Sequence, residues 1–386
     1  MSQTPLPAAR NFVGSVRFSV SERKILQYTV DTERELWSAL EYYSEVEEVG
    51  LPLIQRKGLQ PEQEILKQFQ AFVRQAKSYY QSAKTLHYRS SSLLYYYSFL
   101  NLTKAYLLLR NQQRVRGKVM HGLSYDPSTT NIDFQLEVVK VADGVFPLFY
   151  EALTSQSVAT IQNTTLNITN LLSYPTDMSY QYQIGGYGVN NTLSSLAAIV
   201  IDQSKKQAWT IIGIPNHTDL DNFLNFHANF LNAYEEVEID RNRLTLIFGM
   251  GGLELSSFRF FQDRTTIPTI GNSNVITPHA HFQKSTTALS PYLNTHYFDD
   301  NRDFDLALPC QAAPSLQPIP MNEPLSIYAV MFYLSSLVRY RPEYLESLLN
   351  HKPAWIIESF VNTTPEIFLR IMVSKITEID LVFRRR

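Results

Sequence analysis

The chain has 386 residues, 44% of them hydrophobic and 18% charged, and a formal net charge of −2, so it holds ample apolar material for a core and lacks the charge excess of a disordered tail. That length exceeds an ordinary single core and points to two or three folding units. A lone cysteine, Cys310, excludes an intrachain disulfide and any zinc site of paired thiolates, and suggests a reducing, cytoplasmic setting.

Residues 1–10 lack a signal-like apolar stretch, and the best hydrophobic run, residues 93–109, is interrupted by Asn101 and Lys104, so no membrane span is expected. Strand character appears at residues 16–20. Thr32 and Glu35 then have capping-box spacing and predict a helix with Leu36, Leu40 and Tyr43 on one face. From Pro61, the recurrence of Ile65, Phe69, Phe72, Ala76, Tyr79 and Ala83 predicts a second, core-facing helix. Ser90 to Ser92 offer a cap for a third, over residues 93–109, which is apolar around so much of its girth that it should sit centrally, paired antiparallel with the second.

Between residues 166 and 263 the pattern changes to short runs rich in Ile, Val, Thr and Tyr between Gly, Asn and Pro. Strands are predicted at 196–201, 208–214 and 244–248. Turns are predicted at Gly185, Gly186 and Gly188 and at Gly249, Gly251 and Gly252. A helix from Asp219 should carry Leu220, Phe223, Leu224, Phe230, Leu231 and Tyr234. The prolines at 309, 314, 318, 320 and 324 mark a surface connection. After it Asn322 caps a helix to Tyr340, Pro342 starts the next, and Thr363, Pro365 and Glu366 mark a last one through Phe383. The fold class is thus α+β: mainly helical N- and C-terminal parts around a mixed β-containing middle.

Charge is unevenly placed. From Ile65 to Tyr125 there is no Asp or Glu, while Lys67, Arg74, Lys77, Lys84, Arg89, Lys104, Arg110, Arg114, Arg116 and Lys118 make the segment +10, which leaves −12 on the rest. A polyanion is one partner for such a segment. The alternative is that acidic groups elsewhere, such as those at 45–48 or 299–305, fold back onto it.

Within that segment Arg116-Gly-Lys-Val-Met-His121 spells Arg-x4-His, and Arg114 gives Arg-x6-His. An imidazole moves protons at neutral pH, and a guanidinium holds a phosphate and the charge that builds on it. His121 reads alternatively as a capping or core histidine beside the Gly122 turn. Other chemistry fails on spacing. Asp299 to Asp303 starts like a calcium loop but has Phe304 where glycine is needed, and His279 with His281 lacks a third metal ligand. Gly249-x-Gly-Gly252 lacks the lysine of a phosphate loop.

The Arg-His pair after an apolar helix resembles the signature of HEPN-superfamily ribonucleases. That resemblance implies a helical bundle at 1–150, metal-independent RNA cleavage, a composite site from two copies of the chain, catalysis by Arg116 and His121, and RNA contacts by Arg110, Arg114 and Lys118. Longer segments resemble the YaaC family in order: Leu93-Leu-Tyr-Tyr-Tyr-Ser-Phe-Leu-Asn-Leu-Thr-Lys-Ala105, His121-Gly-Leu-Ser124, Val138-Val-Lys-Val141 with Gly144-Val-Phe-Pro147, and Pro324-Leu-Ser-Ile-Tyr with Leu334-Ser-Ser-Leu-Val-Arg-Tyr340. The expected organisation is a helical HEPN-like domain at 1–150, a mixed α/β region at 151–290 and a C-terminal helical region at 291–386. The expected activity is that of an RNA-directed protein, an endoribonuclease of defence or toxin type, with a non-catalytic nucleic-acid-binding or scaffolding protein as the alternative. RNA, a second copy or another protein are the partners this implies, and no cofactor, metal or membrane is expected.

Overall fold

The computed structural model describes residues 6–12, 14–17, 22–26, 31–110, 115, 120–125, 136–154, 156–188, 192–216, 220–221, 224, 230–248, 257–268, 296–299, 302–309 and 321–383. The chain divides into two compact units, one of Met1–Arg23 with Asn191–Pro314 and one of Lys24–Asn190 with Ser315–Arg386.

The second unit is built on helices α1 (Thr32–Glu45), α2 (Glu47–Arg56), α3 (Glu62–Lys84) and α4 (Tyr88–Leu108). Two expected caps are replaced by neighbours. Asp31, not Thr32, caps α1 by accepting from the Arg34 amide at 3.0 Å, and the Thr32 hydroxyl donates to Glu366 at 2.7 Å. A carboxylate is the stronger acceptor for an orphan helix amide, which frees the threonine. His87 rather than Ser90 to Ser92 caps α4, which starts earlier than expected, and Ser91 and Ser92 are buried within it.

Helix α4 is central as its composition predicts, with Tyr96, Phe99, Leu102 and Ala105 fully buried. The buried Ser98 hydroxyl donates to the Ala76 carbonyl at 2.8 Å, tying α4 to α3. Beyond α4 the strands His121–Ser124, Val138–Gly144 and Thr165–Asn167 form a small antiparallel sheet, and α5 (Val145–Thr154) leaves the middle strand without a loop.

The C-terminal helices complete the same core. Helix α6 (Glu323–Tyr340) is capped by Asn322, whose side chain accepts from the Leu325 amide at 3.3 Å, and Pro342 opens α7 (Pro342–Leu349), both as expected. The last helix, α8 (Pro353–Thr377), starts well before the expected Thr363, carries Pro365 in its interior, and stops short of the expected Phe383, because Glu378 turns left-handed at φ +61° and Ile379–Phe383 is a strand. Proline removes one helix donor, but Phe360, Val361, Phe368 and Leu369 are buried on both sides of it and hold the helix through that point. Phe368 stacks on Phe99 of α4 at 4.1 Å and meets Phe149 of α5 edge-on.

The first unit is an antiparallel sheet in the order His296–Asp299, Arg302–Pro309, Thr192–Asp202, Gln207–Pro215, Phe258–Asp263, Tyr234–Val237, with Gly14–Arg17 and Ile267–Pro268 alongside. The strands expected at 196–201 and 208–214 are its centre. The strand expected at 244–248 is instead the helix Arg241–Phe248, whose Leu244 and Ile247, three residues apart, bury the apolar atoms that a short window cannot assign to strand or helix. Tyr234, expected on a helix, begins a strand next to Phe258–Asp263.

The chain is α+β, with helical N- and C-terminal parts and antiparallel sheets between them. No described helix is long and apolar enough to cross a membrane. The expectations at Gly249, Gly251, Gly252, His279, His281 and Cys310, and for prolines 314, 318 and 320, lie outside the described residues.

Candidate functional site

His121 opens its strand opposite Gly144, and two glycines make that pairing possible. Gly122 has φ +83°, and a Cβ there would lie 2.4 Å from the Phe146 amide nitrogen and 2.6 Å from the Pro147 ring. Gly144 has φ +148°, and its Cβ would lie 2.4 Å from the Gly122 nitrogen. The Val145 amide donates to the Met120 carbonyl at 3.1 Å, closing the same junction. The segments His121-Gly122 and Gly144-Val-Phe-Pro147 are therefore one contact: only glycines allow the strand ends and α5 to approach so closely, and that approach fixes the backbone from which the imidazole projects.

The imidazole is half-buried among side chains of α4 and α6. Its Nδ1 is 2.8 Å from the Tyr96 hydroxyl, which is 3.3 Å from the Tyr328 hydroxyl, and Tyr328 donates to the His121 carbonyl at 3.5 Å. The last two bonds are long, but they orient the chain of protons. If Tyr96 donated to Nδ1, the single Tyr328 proton could serve only one of its two contacts. All three are satisfied at once when Nδ1–H donates to Tyr96, Tyr96 to Tyr328, and Tyr328 to the His121 carbonyl. This arrangement leaves Nε2 with a lone pair and no hydrogen bond to a described residue. Tyr96, Tyr97 and Phe332 wall the ring at centroid distances of 5.4, 6.5 and 6.0 Å.

Burial first, and then the positive charges of Arg339 and Lys104, hold the His121 imidazole below the usual histidine range. Arg339, near the end of α6, donates from Nη1 to the Tyr97 hydroxyl at 3.1 Å and lies over the Tyr97 ring at 5.7 Å. Lys104, on the α4 face shared by Tyr97, is itself pushed down by burial, with its ammonium 6.0 Å from the Phe72 ring.

Of the residues singled out by sequence, His121 lies at this site. Arg110 is exposed just past α4, its guanidinium 5.2 Å over the Tyr106 ring, and no described contact joins it to His121. Arg114, Arg116 and Lys118 lie outside the described residues. Part of the basic segment is neutralised in place: Arg74 pairs with Glu45, Lys77 with Glu41 at 2.5 Å, Lys84 with Glu33, and Arg89 with Glu346. The acidic residues that fold back are thus mainly those of α1. Lys104 and Arg339 were not predicted as site residues, since no spacing rule links them to His121. Both do fall in the segments that carry the wider resemblance. No group of three or more His, Cys, Asp or Glu able to hold a metal occurs among the described residues.

A family model described as YaaC-like Protein matches residues 54–376, a span that includes His121 and every side chain described around it. No curated protein and no solved structure matches the chain.

Proposed function

The chain belongs to the YaaC-like family, and on that premise we propose that it acts on RNA as a metal-independent endoribonuclease, with His121 as the proton-transferring group and Arg116 as the phosphate clamp. The single observation that carries the reading is the state of His121: a half-buried imidazole kept neutral near pH 7, with Nδ1 held by Tyr96 and Nε2 without a hydrogen-bond partner among the described residues. Such a nitrogen accepts the ribose 2′-hydroxyl proton as the 2′-oxygen bonds to phosphorus and the bond from phosphorus to the 5′-oxygen breaks. The departing oxygen needs a proton at the same moment. One imidazole cannot serve as base and acid together, so a second copy of the chain supplies the acid, in keeping with the HEPN resemblance. Arg110, Arg114 and Lys118 contact the flanking backbone in this reading, whose biological setting is defence or toxin action in the cytoplasm.

The ion pairs along α1 and α3 favour a second reading, a non-catalytic binding or scaffolding protein, because cations already matched by carboxylates offer a polyanion little.

The deciding experiment incubates the purified protein with a mixed single-stranded RNA pool. Cleavage that is lost in both His121→Ala and Arg116→Ala, with circular dichroism unchanged, supports the nuclease. Salt-sensitive binding without cleavage supports the second reading, and neither signal leaves scaffolding alone.

A further inference from the structure

Lys104 and Arg339 pose a problem that the nuclease reading does not use. Each is a cation that reaches His121 electrostatically, each comes from a different helix, and neither has a carboxylate partner among the described residues. Neighbouring cations are treated differently. Arg341, two residues on, has Glu343 at 3.5 Å and Glu137 at 3.9 Å, and Arg89 has Glu346. The two cations nearest His121 in charge effect thus differ from Arg341 and Arg89 in having no ion pair among the described residues.

Each cation is also held there by packing. Arg339 lies between the Tyr97 ring at 5.7 Å and the Tyr340 ring at 5.0 Å, its Nε donates to the Ser335 carbonyl at 3.4 Å, and its Nη1 donates to the Tyr97 hydroxyl. These contacts fix the plane of the guanidinium and leave Nη2 without a described partner. The Tyr97 hydroxyl accepts that bond and keeps its own proton to donate. Lys104 is half-buried with its ammonium near the Phe72 ring, where a charge loses hydration and gains no acceptor among the described residues in return. Two partly dehydrated cations, a phenol and an imidazole in one place are mutually unfavourable until an anion joins them.

We propose that Lys104, Arg339, His121 and the Tyr97 hydroxyl form a binding site for a phosphate group. A guanidinium fork, an ammonium and a hydroxyl match the several oxygens of a phosphate better than the two of a carboxylate. The proposal deepens the reading of His121 as a phosphate-facing group and rests on it in that respect only, since binding requires no bond cleavage. It adds a fixed anion contact on the C-terminal helices that the Arg-His spacing does not contain.

The test titrates the full-length protein with inorganic phosphate, then with adenosine monophosphate and with a short single-stranded RNA, following the His121 ring resonances by NMR across pH. Phosphate is expected to raise the His121 pKa by offsetting the two cations. Lys104→Met and Arg339→Met are each expected to weaken phosphate binding about tenfold, and Arg339→Lys to restore part of it. Methionine retains the apolar stem of either residue, and thermal unfolding identifies a variant that has lost its fold. If Arg339→Met fails to fold, Lys104→Met and Arg339→Lys still read the same site. A stronger effect with the monophosphate or the RNA identifies the source of the phosphate group. No movement of the His121 resonances with any of the three, or equal affinity in wild type and Lys104→Met, overturns the proposal. Phosphate binding without RNA cleavage keeps this site and removes the nuclease. Cleavage with phosphate binding indifferent to Lys104 and Arg339 does the reverse.

Discussion

The Tyr96 hydroxyl lies 2.8 Å from His121 Nδ1, so the orientation of the imidazole is set by a helix that passed 25 residues earlier in the chain. The carbonyl of the same histidine meets Tyr328, 207 residues later. Helices α4 and α6 hold the ring from two sides, and the proton count of the three contacts places hydrogen on Nδ1. Nitrogen-15 NMR is expected to report His121 as the Nδ1–H tautomer in wild type. Tyr96→Phe should lose that tautomer's dominance and about 1 kcal/mol of stability for the missing hydrogen bond. An Nε2–H signal in wild type reverses the assignment and makes His121 a donor toward its ligand.

His121 should also register its neighbours' charges. Arg339→Met or Lys104→Met removes a cation that lowers the imidazole pKa, so each variant is expected to titrate at higher pH than wild type. The stability consequence has a definite sign. The folded pKa lies below the unfolded value near 6.5, so this contribution is complete above pH 6.5 and is lost as pH falls through the folded pKa. Urea midpoints taken from pH 7.5 downward should decline less in His121→Gln than in wild type, and parallel curves exclude the coupling.

Gly122→Ala and Gly144→Ala each place a Cβ within 2.4 Å of a backbone nitrogen at positive φ. Backbone cannot yield as a flexible side chain does, so each change should cost on the order of 3 kcal/mol in urea unfolding. His121→Ala, which leaves the backbone alone, should cost far less. A mild Gly122→Ala would show that the strand and α5 separate without penalty.

Glu323, in the first turn of α6, is buried completely, and its Oε1 accepts from the Thr176 amide at 3.0 Å and hydroxyl at 3.4 Å. Its other oxygen, Oε2, is buried without a partner among the described residues. Burial pushes this carboxyl up to about 8 from 4.5, against the Thr176 bonds that favour the anion. The folded state holds the proton more tightly, so stability should fall as pH rises from about 4.5 to about 8. At about 1.4 kcal/mol per unit, the loss is on the order of 5 kcal/mol. Glu323→Gln should flatten that slope and exceed wild type in stability at alkaline pH; a wild-type profile already flat there means that the carboxyl ionises unhindered.

The sequence carried much of the helical unit and less of the site. Helices α3, α4 and α6 were legible because they repeat apolar residues over five turns or more, and Asn322 and Pro342 are unambiguous punctuation. The choice of Asp31 over Thr32 as a cap was not, since adjacent side chains compete for the same amide and only the position of Glu366 settles which is free. Residues 244–248 read as strand because five mostly apolar residues fit either period. His121 stood out by its glycine and its basic surroundings. Lys104 appeared only as an interruption of an apolar run, and Arg339 only as part of a longer likeness, because what joins them to His121 is a helix packing that no local window contains.

Residues 191–314 fall between the two stretches that share the helical core, and this order has a consequence for synthesis. Phe99 and Phe149 leave the ribosome long before Phe368, against which both pack. The nascent chain must therefore carry an unfinished apolar face through translation of the whole intervening sheet, during which it is open to aggregation and to chaperone capture. A stop codon anywhere between residue 191 and α8 should yield a product that is cleared or aggregates even though every residue around His121 from the first half of the chain is present.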